Sequence, residues 1–441
     1  MERKIPEAFI IGTASASYQV EGAAYEDGRE ESIWDTFSRK PGATYAGESG
    51  TVAVDQYHRY REDIAMMKDL GFQSYRFSIS WGRVIKADGT VNREGIGYYR
   101  SLCQELRRAG MTASATLYHW DLPQYLEDRG GWRERETAYR FAEYASVCFS
   151  ALGGLVDMWI TLNEPYCVSY LGFVTGEHAP GEKGNLDAAG KVIHHLNLAH
   201  GLAVQAFRES GTKGRIGITW NALPCRAAEH VEDKERLENL QYDIDNGVFT
   251  GPVLKGAYPE GLGAYGLSFP LKDGDLSIIK QRIDFIGLNY YHEDLIEPSP
   301  VFPFYKAAEM DVPRTDMGWP VTPAGLVRLL RRMEKESGGI DMYITENGAA
   351  YDDVLSPDGK VCDTERVSFL RGHILACLDA LDEGLPLKGY YIWSFTDNFE
   401  WAWGYTKRFG IVYIDYKTLR RIPKDSAFFM KEVNTRRAVS V

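Results

Sequence analysis

Eight short runs of apolar and β-branched residues recur along the chain, and stretches with helical character separate them from end to end. Strict alternation of this kind restricts the fold to a parallel α/β architecture, because parallel neighbours need a crossover between them. The runs lie at 9–14, 74–80, 112–117, 158–162, 216–219, 285–288, 342–345 and 390–394. Eight is the number that closes a (β/α)8 TIM barrel, here with long loops after the strands. No Pro/Ser-rich linker, charge block or repeat divides the 441 residues, so residues 1–441 are expected to form a single catalytic domain.

The clearest helix is predicted over 55–70, with Tyr57, Tyr60, Ile64 and Met67 on one stripe and Gly71 as its stop. In the strand at 74–80, apolar and polar residues alternate, which turns Arg76 and Ser78 into the barrel. A buried guanidinium left unpaired costs about 3–5 kcal/mol, so an acidic partner inside the barrel is required. A purely structural ion pair would also satisfy that requirement.

Charge and cysteine usage exclude several function classes. A formal net charge of -12 repels phosphate backbones and anionic lipid, which disfavours nucleic acid and membrane partners and favours a neutral substrate. Six cysteines lie far apart with no C-x-x-C pair, as expected of free, buried thiols in a reducing, cytoplasmic setting. Glu2, Arg3 and Lys4 followed by an apolar stretch have the outline of a secretion signal, but Gly12 and Thr13 interrupt the apolar core early. The segment is read as the first barrel strand.

Polar and aromatic residues crowd just behind the predicted strands, the end at which such a barrel places its chemistry. Gln19 follows the first, His119 and Trp120 the third, Asn163 and Glu164 the fourth, Asn289 and Tyr291 the sixth, Glu346 the seventh, and Glu400 with Trp401 the last. Two of these, Glu164 and Glu346, are carboxylates set directly on apolar strands. Glycoside hydrolysis needs such a pair, one to protonate the departing oxygen and one to attack or to activate water. An aromatic content of 13% suits a large core and equally a pocket that stacks sugar rings.

The chain resembles glycoside hydrolase family 1 over nearly its whole length. The likeness rests on ASYQVEG at 16–22, YRFSISW at 75–81, YHWDLP at 118–123, TLNEP at 161–165, GLNYY at 287–291, ITENG at 344–348 and WSFTDNFEW at 393–401. It implies a retaining β-glucosidase with Glu164 as acid/base, Glu346 as nucleophile, and Arg76 and Tyr291 supporting Glu346. It further implies hydroxyl recognition by Gln19, His119, Asn163 and Glu400, with Trp393 and Trp401 framing the sugar ring. Trp120, Asn289, Trp319 and Phe409 complete the expected substrate-binding set. The implied substrates are β-glucosides or cello-oligosaccharides, with β-galactosides and β-fucosides sharing most contacts, and neither a metal nor another cofactor is expected.

Three alternatives compete. A 6-phospho-β-glucosidase would need a phosphate site near Lys407, where Glu400 opposes an anion and Phe409 adds no donor. A non-catalytic sugar-binding protein would not need both glutamates. A metal-dependent hydrolase would have to use His194, His195 and His200, whose spacing is no metal signature and whose helix is explained by the packing of Ile193, Leu196 and Leu202. Tyr166 stands where the family commonly has tryptophan, and Tyr166, His178, Asn221 and Trp319 are expected to face the leaving group.

Overall fold

The computed structural model describes residues 2–441. Eight parallel strands close into a barrel in chain order: β1 (Ile10–Ala14), β2 (Ser74–Ser78), β3 (Thr112–Tyr118), β4 (Met158–Asn163), β5 (Arg215–Asn221), β6 (Phe285–Asn289), β7 (Met342–Asn347) and β8 (Leu387–Trp393). Closure is made by β8 pairing with β1, with Tyr391 beside Gly12 and Trp393 beside Ala14. All eight expected strands are present. Residues 79–80 leave the sheet, since Ser80 precedes a helical turn at Trp81–Val84, and Ser394 falls one residue beyond β8.

Side chains fill the barrel interior. The Tyr391 hydroxyl on β8 donates to Ser74 Oγ on β2 at 2.9 Å and lies 3.9 Å from Met158 Sδ on β4, a strand with which β8 does not pair. Met158, Ile160, Phe285, Tyr343 and Tyr391 are buried together there, while a second, much larger apolar cluster lies between strands and helices. Burying a Leu- or Phe-sized side chain stabilises by about 1.5–3 kcal/mol, so these two layers supply the main cohesion of the fold.

The helix predicted at 55–70 spans Gln56–Asp69, with Tyr60, Ile64 and Met67 buried and Tyr57 half-buried. Gly71 has φ +77°, the left-handed conformation that ends a helix without a Cβ clash. The first apolar segment is the barrel strand β1, and Glu2–Lys4 ahead of it pairs antiparallel with Ala438–Ser440. Among the described residues no helix is long and apolar enough to cross a membrane.

The three histidines on the helix Leu186–Glu209 have separate partners. His194 contacts Asp275, His195 contacts the Trp132 carbonyl, and His200 contacts the Thr161 hydroxyl. Cys103, Cys148, Cys167 and Cys377 are buried free thiols as expected, whereas Cys225 is half-buried and Cys362 is exposed. The sequence pattern around Cys362 is polar, with Asp358, Lys360 and Asp363, which agrees with its exposure.

Candidate active site

The carboxyl ends of the strands open into one cavity of about 950 Å³. His119, Trp120, Glu164, Asn289, Tyr291, Trp319, Glu346, Trp393, Glu400, Trp401 and Phe409 all line it. Three expected site residues, Gln19, Asn163 and Arg76, are almost wholly buried and stand behind that lining, bonded to residues on it.

Glu346 is the penultimate residue of β7 and Glu164 follows β4 directly. Arg76 Nη1 contacts Glu346 Oε1 at 2.5 Å, and the Tyr291 hydroxyl donates to Oε2 at 2.7 Å. Both oxygens of Glu346 are therefore held, and Arg76 has the acidic partner that its burial requires. The same guanidinium donates through Nη2 to Asn163 Oδ1 at 2.5 Å, and Asn289 Nδ2 donates to that oxygen at 3.1 Å. Asn289 also donates to Glu164 Oε1 at 2.5 Å, so one amide links the two carboxyl environments.

Their titration differs because of these partners. Burial and the charge of Glu346 push Glu164 up to about 7, against the hydrogen bonds from Asn289 and Cys167. Burial also raises Glu346, but the contacting Arg76 and the Tyr291 hydroxyl oppose it. Glu346 alone of the pair touches a guanidinium, so when the two share one proton it resides on Glu164. Glu400, facing both, is pushed to about 8 by burial and by their charges.

His119 lies on the same wall. Burial and the nearby Arg76 hold its pKa well below the usual imidazole value, so the ring is neutral. Its Nε2 lies 3.1 Å from Asn163 Nδ2 and must accept, which leaves the proton on Nδ1. That Nδ1 is buried without a protein partner, as is Gln19 Oε1. Gln19 Nε2 is fixed by the Phe399 carbonyl at 2.8 Å and by Asn398 Oδ1 at 3.1 Å, with Glu400 Oε2 at 3.3 Å. A polyhydroxylated ligand would satisfy these orphaned atoms, since buried polar groups normally find partners.

Aromatic rings enclose the same space. His119 lies nearly parallel to Trp393 and Trp401, at centroid distances of 5.7 and 6.0 Å. Trp34 supports Trp401 from behind at 4.5 Å. Trp120, Glu164 and Trp401 have φ of 75°, 46° and 51°, in the left-handed region that side-chain-bearing residues seldom occupy. Such backbone costs of order 1–3 kcal/mol at each position and survives where surrounding contacts over-determine it. At Trp120 one such contact is its indole Nε1 donating to the Asn163 carbonyl at 2.9 Å. Gly348, behind Glu346, has no room for a side chain: an added Cβ would collide with the Trp393 carbonyl.

A balanced buried ion cluster anchors the loops after β7 and β8. Lys424 Nζ lies 2.5 Å from Asp353 and 2.7 Å from Asp397, Arg366 joins Asp353 to Asp363, and Arg408 Nη1 contacts Asp397 at 2.5 Å. Asp397 also accepts the backbone N–H of Gly410 at 3.1 Å, which ties the segment carrying Glu400 and Trp401 to the one carrying Phe409.

The mouth is built differently. Tyr166, His178, Asn221 and Trp319 line it, together with residues without a motif: Phe37, Lys40, Tyr45, Leu171, Met317 and Trp403. Cys167 was also missed; its thiol donates to Glu164 Oε2 at 3.0 Å. Its adjacency to Asn-Glu-Pro was the available signal, because a helical turn after a proline brings residue i+3 back to residue i.

Two carboxyls lining one cleft, at the carboxyl ends of barrel strands, mark a glycoside-hydrolase barrel. The chain belongs to glycosyl hydrolase family 1, whose family model it matches over residues 1–439. It is 44% identical over 437 residues to Beta-glucosidase A of Thermotoga maritima, covering 98% of each chain. It is 43% identical over 450 residues to the Bifunctional beta-D-glucosidase/beta-D-fucosidase of Bifidobacterium breve, covering 96% of each. Among solved structures, the family 1 b-glucosidase from Thermotoga maritima superposes with a TM-score of 0.96 at 42% identity, covering 100% of both chains. The Thermotoga maritima β-glucosidase in complex with deoxynojirimycin gives 0.95 at 43% identity, covering 99% of both chains.

Proposed function

We propose that this β-glucosidase removes terminal β-D-glucosyl residues from small β-glucosides and cello-oligosaccharides, with Glu346 as nucleophile and Glu164 as acid/base. The observation that carries the assignment is the unequal treatment of the two carboxyls: Glu346 holds Arg76 and the Tyr291 hydroxyl, and Glu164 has no contacting cation. Glu346 attacks the anomeric carbon as the bond to the leaving oxygen breaks, and the proton on Glu164 passes to that oxygen. Water then adds to the anomeric carbon of the glycosyl-enzyme, gives a proton to Glu164 and frees Glu346, so configuration is retained. Once Glu346 is esterified its charge no longer raises Glu164, which favours Glu164 as base in the second step.

Gln19, His119, Asn163 and Glu400 bind the hydroxyls in this reading, between Trp393 and Trp401, and Trp120, Asn289, Trp319 and Phe409 shape the remaining wall. β-Fucosides and β-galactosides are accepted through the same contacts. A phosphorylated sugar is not favoured, because the Lys407 ammonium is already engaged by the Asp316 carboxylate at 2.9 Å and its carbonyl at 2.8 Å. Residues 1–441 act as one catalytic domain in a cytoplasmic, reducing setting, a reading supported by six cysteines without a disulfide. The test compares nitrophenol release from the aryl β-D-glucoside and its 6-phosphate by wild type and Glu346→Ala. Turnover of the neutral glucoside alone, lost in the variant, is the expected result; preference for the phosphate, or an active variant, overturns the reading.

A further inference from the structure

We infer that Cys167 is a positioning residue for the acid/base carboxyl, holding Glu164 Oε2 through its thiol in both protonation states of the catalytic cycle. The inference rests on the assignment of Glu164 made above. Cys167 sits at the start of the π-helical turn Cys167–Thr175, three residues after Glu164, and its backbone N–H donates to the Glu164 carbonyl at 3.0 Å. Its side chain is buried, with Sγ 3.0 Å from Oε2.

The two partners of Glu164 are chemically unlike. Asn289 Nδ2, at 2.5 Å from Oε1, is an amide donor that cannot accept, so it favours an unprotonated Oε1 and leaves the proton to Oε2. A thiol is both a weak donor and a weak acceptor. It can donate to Oε2 when Glu164 is the carboxylate, and when Oε2 carries hydrogen it can still contact the remaining lone pair of that oxygen, which leaves the hydrogen free to face the leaving oxygen. The thiol stays protonated throughout, because burial and the neighbouring carboxylates hold it well above its usual value. Cys167 therefore exchanges no proton with substrate.

The groups that face this pair are few. Glu346 and Arg76 act on Glu164 from β7 and β2, and Tyr291 and Glu400 face it across the cavity. Cys167 itself faces Glu164, Glu346, Glu400 and the phenol of Tyr166. Of these, Cys167 and Asn289 alone hydrogen-bond Glu164, so removing the thiol leaves Oε2 without a side-chain donor.

The experiment is the pH profile of kcat/KM on an aryl β-glucoside for wild type, Cys167→Val and Cys167→Ser. Loss of the donor in the valine variant should shift the basic limb to higher pH by about half a unit, and the stronger hydroxyl donor of serine should hold it at or below the wild-type position. A packing role alone changes rate or stability without moving the limb. An unmoved limb in Cys167→Val overturns the inference; if that variant does not fold, a Cys167→Ser limb displaced to higher pH overturns it instead. Glu164→Ala with azide as external nucleophile separates the two claims: trapping of a β-glucosyl azide upholds Glu164 as acid/base independently of Cys167, and its absence removes the premise.

Discussion

The inner end of the cavity and its mouth are made by different means. At the inner end each functional side chain is anchored by another polar residue: Arg76 fixes Glu346 and Asn163, Asn289 joins Asn163 to Glu164, and Asn398 and the Phe399 carbonyl fix Gln19. At the mouth, Tyr45 and Trp403 project from single 3-10 turns and are each about half exposed. An inner wall that must stabilise developing charge needs preset donors and acceptors, since reorganising them during the reaction would cost the energy they are meant to supply. A mouth that only shelters a leaving group needs shape and apolar area, which many side chains provide. Substitutions should therefore act on rate at the inner end and on affinity at the mouth.

Glu346→Ala should break the inner end most completely, with kcat for an aryl β-glucoside falling by about 10⁴-fold or more. A loss under tenfold would sink the contrast. Glu400→Gln keeps the size of the side chain but alters its hydrogen bonding, and kcat/KM should fall by ~10²-fold while the leaving-group preference stays unchanged. Equal losses in KM alone would place Glu400 with the mouth residues.

The pH profile sharpens the same comparison, because Glu164 must be protonated to serve as the proposed acid. Its raised value of about 7 predicts kcat/KM falling about tenfold per unit above that pH, and a second fall on the acid side where Glu346 takes up a proton, with the pair sharing the apparent constants. Trp403→Ala at the mouth should change aryl-glucoside turnover by less than about threefold and raise KM for cello-oligosaccharides by about twofold to fivefold. A larger fall in kcat than rise in KM would contradict the division.

The smallest effect is one of stability. Glu400 is raised to about 8 in the folded chain, against about 4.3 for an unperturbed carboxyl, so the folded state binds the extra proton between those values. Its contribution to stability accordingly falls as pH rises through that window. Thermal melts from pH 5 to 8 should decline less steeply for Glu400→Gln than for wild type, and parallel slopes would show that Glu400 is not held protonated.

The inner end was also the part legible in the amino-acid order. Strand ends such as Asn163-Glu164 and Glu346-Asn347 abut strongly apolar runs, so hydrophobic patterning locates them to within a residue. Strand β5 extends past the predicted 216–219 to Arg215 and Asn221 because backbone pairing continues under polar side chains. Strand β8 begins three residues early, at Leu387, since exposed Lys388 and side-chain-free Gly389 interrupt the apolar pattern. The small sheet of Cys225–Ala227, Asp294–Pro298 and Tyr305–Ala307 left no signal, being short and rich in polar residues. Phe37, on the short helix Ile33–Ser38, and Tyr45 and Trp403, on single 3-10 turns, reach the mouth from elements too short for any periodicity to encode.

The ammonium of Lys424 gives the molecule a timetable. It bridges Asp353 and Asp397, which belong to the loops after β7 and β8, and it comes late in the chain. During synthesis, a nascent polypeptide that has not yet released residue 424 carries these two carboxylates without their shared cation. The segment bearing Glu400 and Trp401 is therefore made before the cation that ties its loop to the one after β7, and it gains that tie only once residue 424 has been added.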